Sequence, residues 1–381
     1  MSEPYDITII GGGLSGLMTA WRLLDVNADL RVILYESNFR IGGDHTWSFN
    51  TTDIAPELQD WIAPFVAYRW DRYDVAFPKR RRTLDIGYCT GNSDTLRACV
   101  QPYIDSGRLQ VVTNTSVAAS DIDGPVIDAS GYTPRPDEFP GWQKFVGRTI
   151  KTAAPHGLTH PVIMDATVEQ IDGYRFVYLL PFTEHEILVE DTYFSDTANL
   201  SENEIGARID DYITAKGWVD HVVIRHEKGV LPMMMATDRD DNTAKIGLGG
   251  GFAVAATGFT VPHAVEVADY LAQVVARDGV AAVEAAISAF RRLHIRRERY
   301  ARLLNRMFFR AGQPAKRYRI LQRFYGFREG LISRFYRNGL NWRDKARILI
   351  GKPPVPVSKA VYNFSESAFM TRERRDTNSQ D

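Results

Sequence analysis

The chain has 381 residues, enough for two domains and a large core, and the absence of repeats and low-complexity tracts excludes solenoids and disordered arrays. Two cysteines exclude a disulfide framework, and no apolar run reaches the roughly 18 residues of a membrane-spanning helix. The net charge of −1 conceals an asymmetry: residues 1–290 carry 23 Lys and Arg against 40 Asp and Glu, whereas residues 291–352 carry 19 against 3.

Residues 1–6 are polar, with no leading apolar signal, so a reducing, cytoplasmic setting is expected. A short apolar run (Ile7, Ile9, Ile10) then passes into Gly11-Gly12-Gly13-Leu14-Ser15-Gly16, residues 17–24 read as a helix, and a second run over 31–35 ends in Glu36. Strand, glycine turn, helix, strand and an acid 20 residues beyond Gly16 form the pattern of a Rossmann-like nucleotide-binding unit. Gly11 permits the tight turn, Gly13 lets backbone approach a pyrophosphate, and Gly16 lets helix and strand pack closely. The free N–H groups of the helix start at Leu14 and Ser15 face the phosphates, and Glu36 is left for ribose hydroxyls. Just past the second strand, Arg40-Ile41-Gly42-Gly43 makes a small-residue turn, and with His45 it lets the chain pass close to an extended cofactor. That habit belongs to flavins, so FAD is expected.

An aromatic region follows (Trp61, Phe65, Tyr68, Trp70, Tyr73, Phe77), and the basic run 79–82 reads as a solvated loop with anion or headgroup contact behind it. Residues 94–104 read as a helix and 109–112 and 126–127 as strands, the second closing in Asp128-Ala129-Ser130-Gly131. Asp128 and Gly131 therefore sit where a parallel sheet meets a nucleotide. From 142 to 228 short strands with hairpin signals, notably 174–180 and 187–194, imply an inserted antiparallel sheet, with a helix over 202–216. The chain returns at Lys245-Ile246-Gly247-Leu248-Gly249-Gly250-Gly251, then Thr257-Gly258, then a helix over 262–277 with Pro262 near its start. Gly249, Thr257 and Gly258 are a second candidate contact to the cofactor.

The expected class is thus α/β: a discontinuous FAD-binding domain (1–50, 81–140, 241–290), an antiparallel substrate domain (51–80, 141–240) and a basic helical region (291–381). In that last region Tyr300, Leu303, Leu304, Met307 and Phe308 form one apolar stripe, flanked or opposed by Arg299, Arg302, Arg306 and Arg310. Basic amphipathic helices of this kind are attracted to anionic membrane surfaces, although an acidic body is itself a partner for a basic module. No nucleic-acid partner is expected.

For chemistry, no metal site is expected: His156 and His160 lie four apart but are bracketed by Pro155 and Pro161. Glu190-Asp191 stands apart, two carboxylates in an apolar strand where ionised groups are costly unless paired or functional. Alternation puts Glu190 with Leu188 and Thr192 on one face and Asp191 with Val189 and Tyr193 on the other, unless a bulge shows both. An apolar pocket raises a carboxyl pKa and keeps the group protonated, as a general acid requires. The bland alternative is an exposed edge acid plus one salt bridge.

These residues resemble one family nearly end to end. The glycine fingerprint, Gly42-Gly43-Asp44-His45-Thr46-Trp47-Ser48-Phe49, Pro155-His156-Gly157-Leu158, Met164-Asp165-Ala166-Thr167-Val168 and Gly173-Tyr174-Arg175-Phe176-Val177-Tyr178 are similar to the bacterial lycopene beta-cyclases. So are Glu190-Asp191-Thr192, Leu303-Leu304-Asn305-Arg306-Met307, Arg323-Phe324-Tyr325-Gly326 and the 350–357 stretch. One departure is Val254-Ala255-Ala256-Thr257-Gly258-Phe259, where the family usually has His-Pro-Thr-Thr-Gly-Tyr. The resemblance implies FAD in its reduced form, NAD(P)H as reductant, and lycopene and gamma-carotene as substrates, cyclised without net redox change to gamma-carotene and then beta-carotene. It also implies Glu190 as the acid with Asp191 assisting, an electron-rich flavin and aromatic faces such as Trp47, Tyr174 or Phe176 near the carbocation, and a location peripheral to the inner membrane. The rival expectations are an aromatic-hydroxylase-type monooxygenase and a flavin-stabilised carotenoid carrier.

Overall fold

A computed structural model describes residues 5–135, 138–237, 243–351 and 354–378. The nucleotide-binding part is built on a parallel sheet ordered Leu109–Val112, Val32–Tyr35, Ile7–Ile10, Val126–Asp128, and Lys245 adds a parallel bridge to Asp128. Every residue of Ile7–Ile10 is buried, as a central parallel strand covered on both faces requires. Helices Leu14–Val26, Ser93–Asp105 and Val261–Asp278 pack together against it through Leu17, Leu24, Leu96, Val265 and Leu271. The expected helices and strands here agree with those observed to within a few residues, except that 245–251 contributes a bridge and turns, not a strand.

The inserted part is a seven-stranded sheet ordered His221–Met234, Pro140–Thr152, Glu186–Ser195, Tyr174–Pro181, Val162–Asp165, Tyr73–Phe77, Arg80–Leu84. All its pairings are antiparallel except Val162–Asp165 with Tyr73–Phe77. A small sheet, Thr46–Asn50, Tyr88–Asn92, Val66–Trp70, joins the two parts. One face of the large sheet buries Val146, Ile150, Val177 and Val189 under Ile205, Ile209 and Ile213 of helix Glu202–Ala215. The other face is roofed by the C-terminal helices through Phe308, Phe309, Phe324, Tyr325, Leu331, Ile332 and Tyr336.

Two expectations are corrected. Residues 80–84 form an edge strand of the large sheet, not a solvated loop. The guanidinium of Arg82 holds it by donating to the Tyr325 carbonyl at 3.1 Å and by pairing with Glu329 at 3.1 Å. The domain boundaries shift with it: 81–84 leaves the nucleotide part, while Ile54, Leu58, Ile62 and Phe65 join that part's core because their apolar faces turn toward it. The basic C-terminal region buries several of its charges. Arg291, Arg302, Arg306 and Arg317 are all buried. Arg302 pairs with Glu366 at 2.6 Å, Arg317 with Asp196 at 2.8 Å, and Arg306 donates to the Asn363 carbonyl at 3.0 Å. Guanidinium groups tolerate this because several carbonyls and carboxylates satisfy their five donors.

Candidate active site

The nucleotide turn, the cavity-facing side of the large sheet and the C-terminal roof enclose a single cleft of about 480 Å³. At its nucleotide end the peptide of Gly11 turns at φ +98°, and a Cβ there would sit 2.5 Å from the Ala129 carbonyl oxygen. A Cβ on Gly16 would lie 1.9 Å from the Gly11 oxygen, so both glycines are required by packing. Gly13 differs, because a Cβ there would meet nothing within 4 Å; the space beside it opens into the cleft. The helix Leu14–Val26 starts with no side-chain cap, leaving its first N–H groups for a ligand. Glu36 is fixed at the strand end: Gly12 N–H donates to it at 2.7 Å and Asn38 N–H at 2.8 Å. Burial works to raise its pKa, but hydrogen bonds from Asn38, Gly12 and Ser37 outweigh that and hold it below the usual range, a standing anion. An uncapped helix start, an open glycine and a buried anionic acceptor fit the pyrophosphate and ribose of a dinucleotide.

Of the residues expected around the cofactor, Gly13, Leu14, Ser15, Glu36, Arg40, Gly42, Gly43, His45, Gly131, Thr257 and Gly258 line the cleft. Gly11, Gly16, Asp128 and Gly249 do not, and their roles are correspondingly internal. Asp128 accepts from the Ser130 N–H at 2.9 Å and faces Lys245 at 3.4 Å, and a Cβ on Gly249 would strike the Gly131 oxygen at 2.1 Å.

At the other end, alternate residues of three neighbouring strands face the cavity: Gln143 and Phe145, Glu190 and Phe194, Phe176 and Tyr178. Pairing of Glu186–Ser195 with both neighbours runs unbroken, so no bulge turns Asp191 inward. Glu190 alone of the two acids faces the cleft. Its Oε1 accepts from the Thr192 hydroxyl at 2.6 Å, and Tyr178 beside it donates to Ser48 at 2.7 Å. Burial, then the negative charge of Glu227, pushes its carboxyl well above the ordinary range, so the group is protonated at neutral pH. Asp191, by contrast, lies on the helix side, fully buried, accepting from Arg175 Nε at 2.9 Å and from the Tyr193 hydroxyl at 2.7 Å. The expectation that it assists Glu190 therefore meets a geometric obstacle: the strand itself separates the two. Trp47 and Phe176 line the cavity; Tyr174 is shielded behind Phe176, its ring 5.1 Å away.

The sequence reading missed the roof and the second acid. Leu321, Phe324, Phe335 and Tyr336 close the apolar end of the cleft. Glu227 shares the sheet face of Glu190, and only long-range register reveals that. The fold also gathers His263, His294 and Glu298, whose ligand-type atoms lie within 4.8 Å of one another. Burial works against charge on His263, but Glu266 and Glu298 raise it to about 9, whereas burial lowers His294 to about 3. Glu298 accepts from the Ala255 N–H at 3.0 Å and from Asn338, so this network ties the 254–259 turn to the C-terminal region.

The family model described as lycopene cyclase protein matches residues 6–362. The chain belongs to the lycopene cyclase family. It is 37% identical to the lycopene beta-cyclase of Pantoea ananas over 98% of this chain and 100% of that one. Against the lycopene beta-cyclase of Paracoccus sp. (strain N81106 / MBIC 01143) the identity is 38%, over 96% and 98%. Among solved structures, the fold resembles a geranylgeranyl bacteriochlorophyll reductase-like protein from Thermoplasma acidophilum (TM-score 0.60, 12% identity, 92% of this chain, 96% of that chain). It also resembles the p-nitrophenol 4-monooxygenase PnpA from Pseudomonas putida DLL-E4 (TM-score 0.55, 14% identity, 91% and 96%). In the 254–259 turn Thr257 and Gly258 line the cleft and Ala255 is held by Glu298.

Proposed function

We propose that this cyclase-family chain converts the end groups of lycopene to beta rings, by way of gamma-carotene to beta-carotene, with reduced FAD bound and NAD(P)H as reductant. The observation that carries the reading is Glu190: a carboxyl nine-tenths buried, facing an apolar cleft shared with a dinucleotide cradle, where burial favours its protonated form. Lycopene is a hydrocarbon with no polar handle, so closure must begin by protonating a terminal double bond. The Glu190 hydroxyl gives that proton, the resulting tertiary cation is attacked by the neighbouring double bond, and loss of a ring proton to the Glu190 carboxylate completes the ring. The acid emerges unchanged and no electrons are consumed.

The rest of the site serves that step. Phe145, Phe176, Phe194, Phe324 and Phe335 exclude water that would otherwise capture the cation, and faces of Trp47 and Phe176 stabilise positive charge by about 1–2 kcal/mol each when desolvated. Gly13, Leu14 and Ser15 would hold the pyrophosphate and Glu36 the ribose, with Arg40, Gly42, Gly43, His45, Gly131, Thr257 and Gly258 around the remainder. When bound in its reduced form, FAD supplies an electron-rich surface that favours a neighbouring cation. Peripheral membrane attachment is supported by exposed Trp342, Ile350, Val357, Val361, Tyr362 and Phe364 interleaved with exposed Arg343, Arg347 and Lys359. Among the described residues no helix is long and apolar enough to cross a membrane.

The likeness to a monooxygenase fold keeps oxygen chemistry as a second reading. Anaerobic incubation of lycopene with dithionite-reduced protein separates them: cyclic product from the wild type but not from Glu190→Gln supports the cyclase, and strict dependence on oxygen refutes it.

A further inference from the structure

Glu227 stands in an unusual relation to Glu190. Gly147 pairs with Glu190 on one side and with Glu227 on the other, so the three residues form one row across neighbouring strands and point to the same face. The two carboxylates thus flank the one position in the row that has no side chain. The backbones of their strands lie ~10 Å apart, two strand spacings, a gap that two glutamates can span only if the central residue puts no side chain between them. Glu227 leans into that gap beside Leu188: a Cβ placed on Gly147 would lie 2.9 Å from Glu227 Cγ, 3.2 Å from Leu188 Cδ1 and 3.3 Å from Glu227 Oε1. That Oε1 is buried and, among the described residues, has no hydrogen-bond partner, whereas Oε2 accepts from the Thr46 N–H at 2.9 Å. A buried oxygen without a donor is costly and calls for a proton nearby.

We propose that Glu190 and Glu227 act as a carboxylic acid–carboxylate pair that shares one proton across Gly147, with Glu227 the positioning residue that keeps the proton on Glu190. This rests on the assignment of Glu190 as the acid. The surroundings sort the two states. Burial raises the Glu227 carboxyl too, to about 7, but Glu227 also faces the Thr46 N–H and the Arg225 guanidinium, which itself pairs with Asp44 at 2.8 Å and donates to the His45 carbonyl, so of the two acids it is the better seat for the negative charge. Glu190 faces Thr192 and Tyr178, with Asp191 behind its strand. Lys228 is drawn off to Glu202 at 2.6 Å, and from the C-terminal helices Tyr336 is engaged by Tyr325. Among the described residues, no cation therefore competes for Glu190. On donation the pair goes from one negative charge to two, beside a substrate that has gained one positive charge; the ring proton returns to Glu190 and restores the pair. The same two carboxylates thus supply the acid, the base and an anionic counterpart to the cation.

The test is an infrared pH titration of the protonated-carboxyl band in wild type and Glu227→Gln, each taken as a difference against a Glu190→Gln background so that other buried acids cancel. Removing the neighbouring charge should move the Glu190 midpoint down by about one pH unit or more, and the alkaline limb of cyclase activity should move with it. An unchanged infrared midpoint overturns the pair. Should Glu190→Gln retain cyclase activity while the infrared midpoint still moves, the pair stands and the assignment of Glu190 as the acid falls.

Discussion

Replacing Glu190 by Gln keeps shape and volume but removes the only transferable proton on the cavity face of its strand. The structural cost is small, because Glu190 is neutral in the folded protein and its Oε1 merely accepts from Thr192, which an amide oxygen does equally well. A hydrogen bond between neutral groups contributes about 1 kcal/mol, so stability at pH 7 changes by no more than that. The chemical cost is the whole proton-transfer contribution of a general acid, about 10²–10⁴-fold in rate or about 3–5 kcal/mol of barrier. Anaerobic turnover of lycopene in detergent or vesicles, with product resolved by chromatography and folding checked by thermal melting, measures both. A variant with native melting and at least a tenth of wild-type turnover refutes the acid assignment.

Four further outcomes follow. Because burial raises Glu190 to about 8, turnover holds below that pH and falls as pH rises through it; the stabilisation linked to its proton is complete below about 4.5 and lost through the same window, so Glu190→Gln melts higher than wild type at alkaline pH. Asp191→Asn breaks a fully buried pair with Arg175 and costs about 3–5 kcal/mol by denaturant titration, while turnover per folded molecule stays near normal. Gly13→Ala meets no protein atom and leaves melting of the flavin-free protein unchanged, yet lowers flavin affinity at least about tenfold, whereas Gly16→Ala forces a backbone collision and loses both. Trp342→Ala with Ile350→Ser removes exposed apolar surface and weakens co-sedimentation with anionic vesicles about tenfold without affecting melting.

The nucleotide half was legible because its signals are contiguous: glycine turn, helix and acid lie within the first 36 residues, and Gly13 and Glu36 came out where the pattern put them. That Glu190 and Asp191 lie on opposite faces was legible too, since strand alternation is local and the strand carries no bulge, but which face meets the cleft was not, because that depends on how the sheet packs. Glu227 was not. It joins Glu190 only through the pairing of both strands with Pro140–Thr152, a relation spread over residues far apart in sequence. The C-terminal stripe was visible as amphipathic helix, but period alone does not say what a stripe packs on; Phe308 packs into the core beneath the large sheet, and Leu321, Phe324 and Tyr336 further along roof the cleft. Nor does composition distinguish Arg306, buried against backbone carbonyls, from Arg343 in solvent.

The most direct test of the central claim is single-turnover cyclisation in deuterated water, anaerobic, with reduced protein in excess over lycopene. A carboxyl that exchanges with solvent and protonates the terminal double bond places one deuterium in each ring formed, and Glu190→Gln forms rings at least about a hundredfold more slowly. Cyclic product free of deuterium, or deuterated product from Glu190→Gln at the wild-type rate, would contradict proton delivery from Glu190.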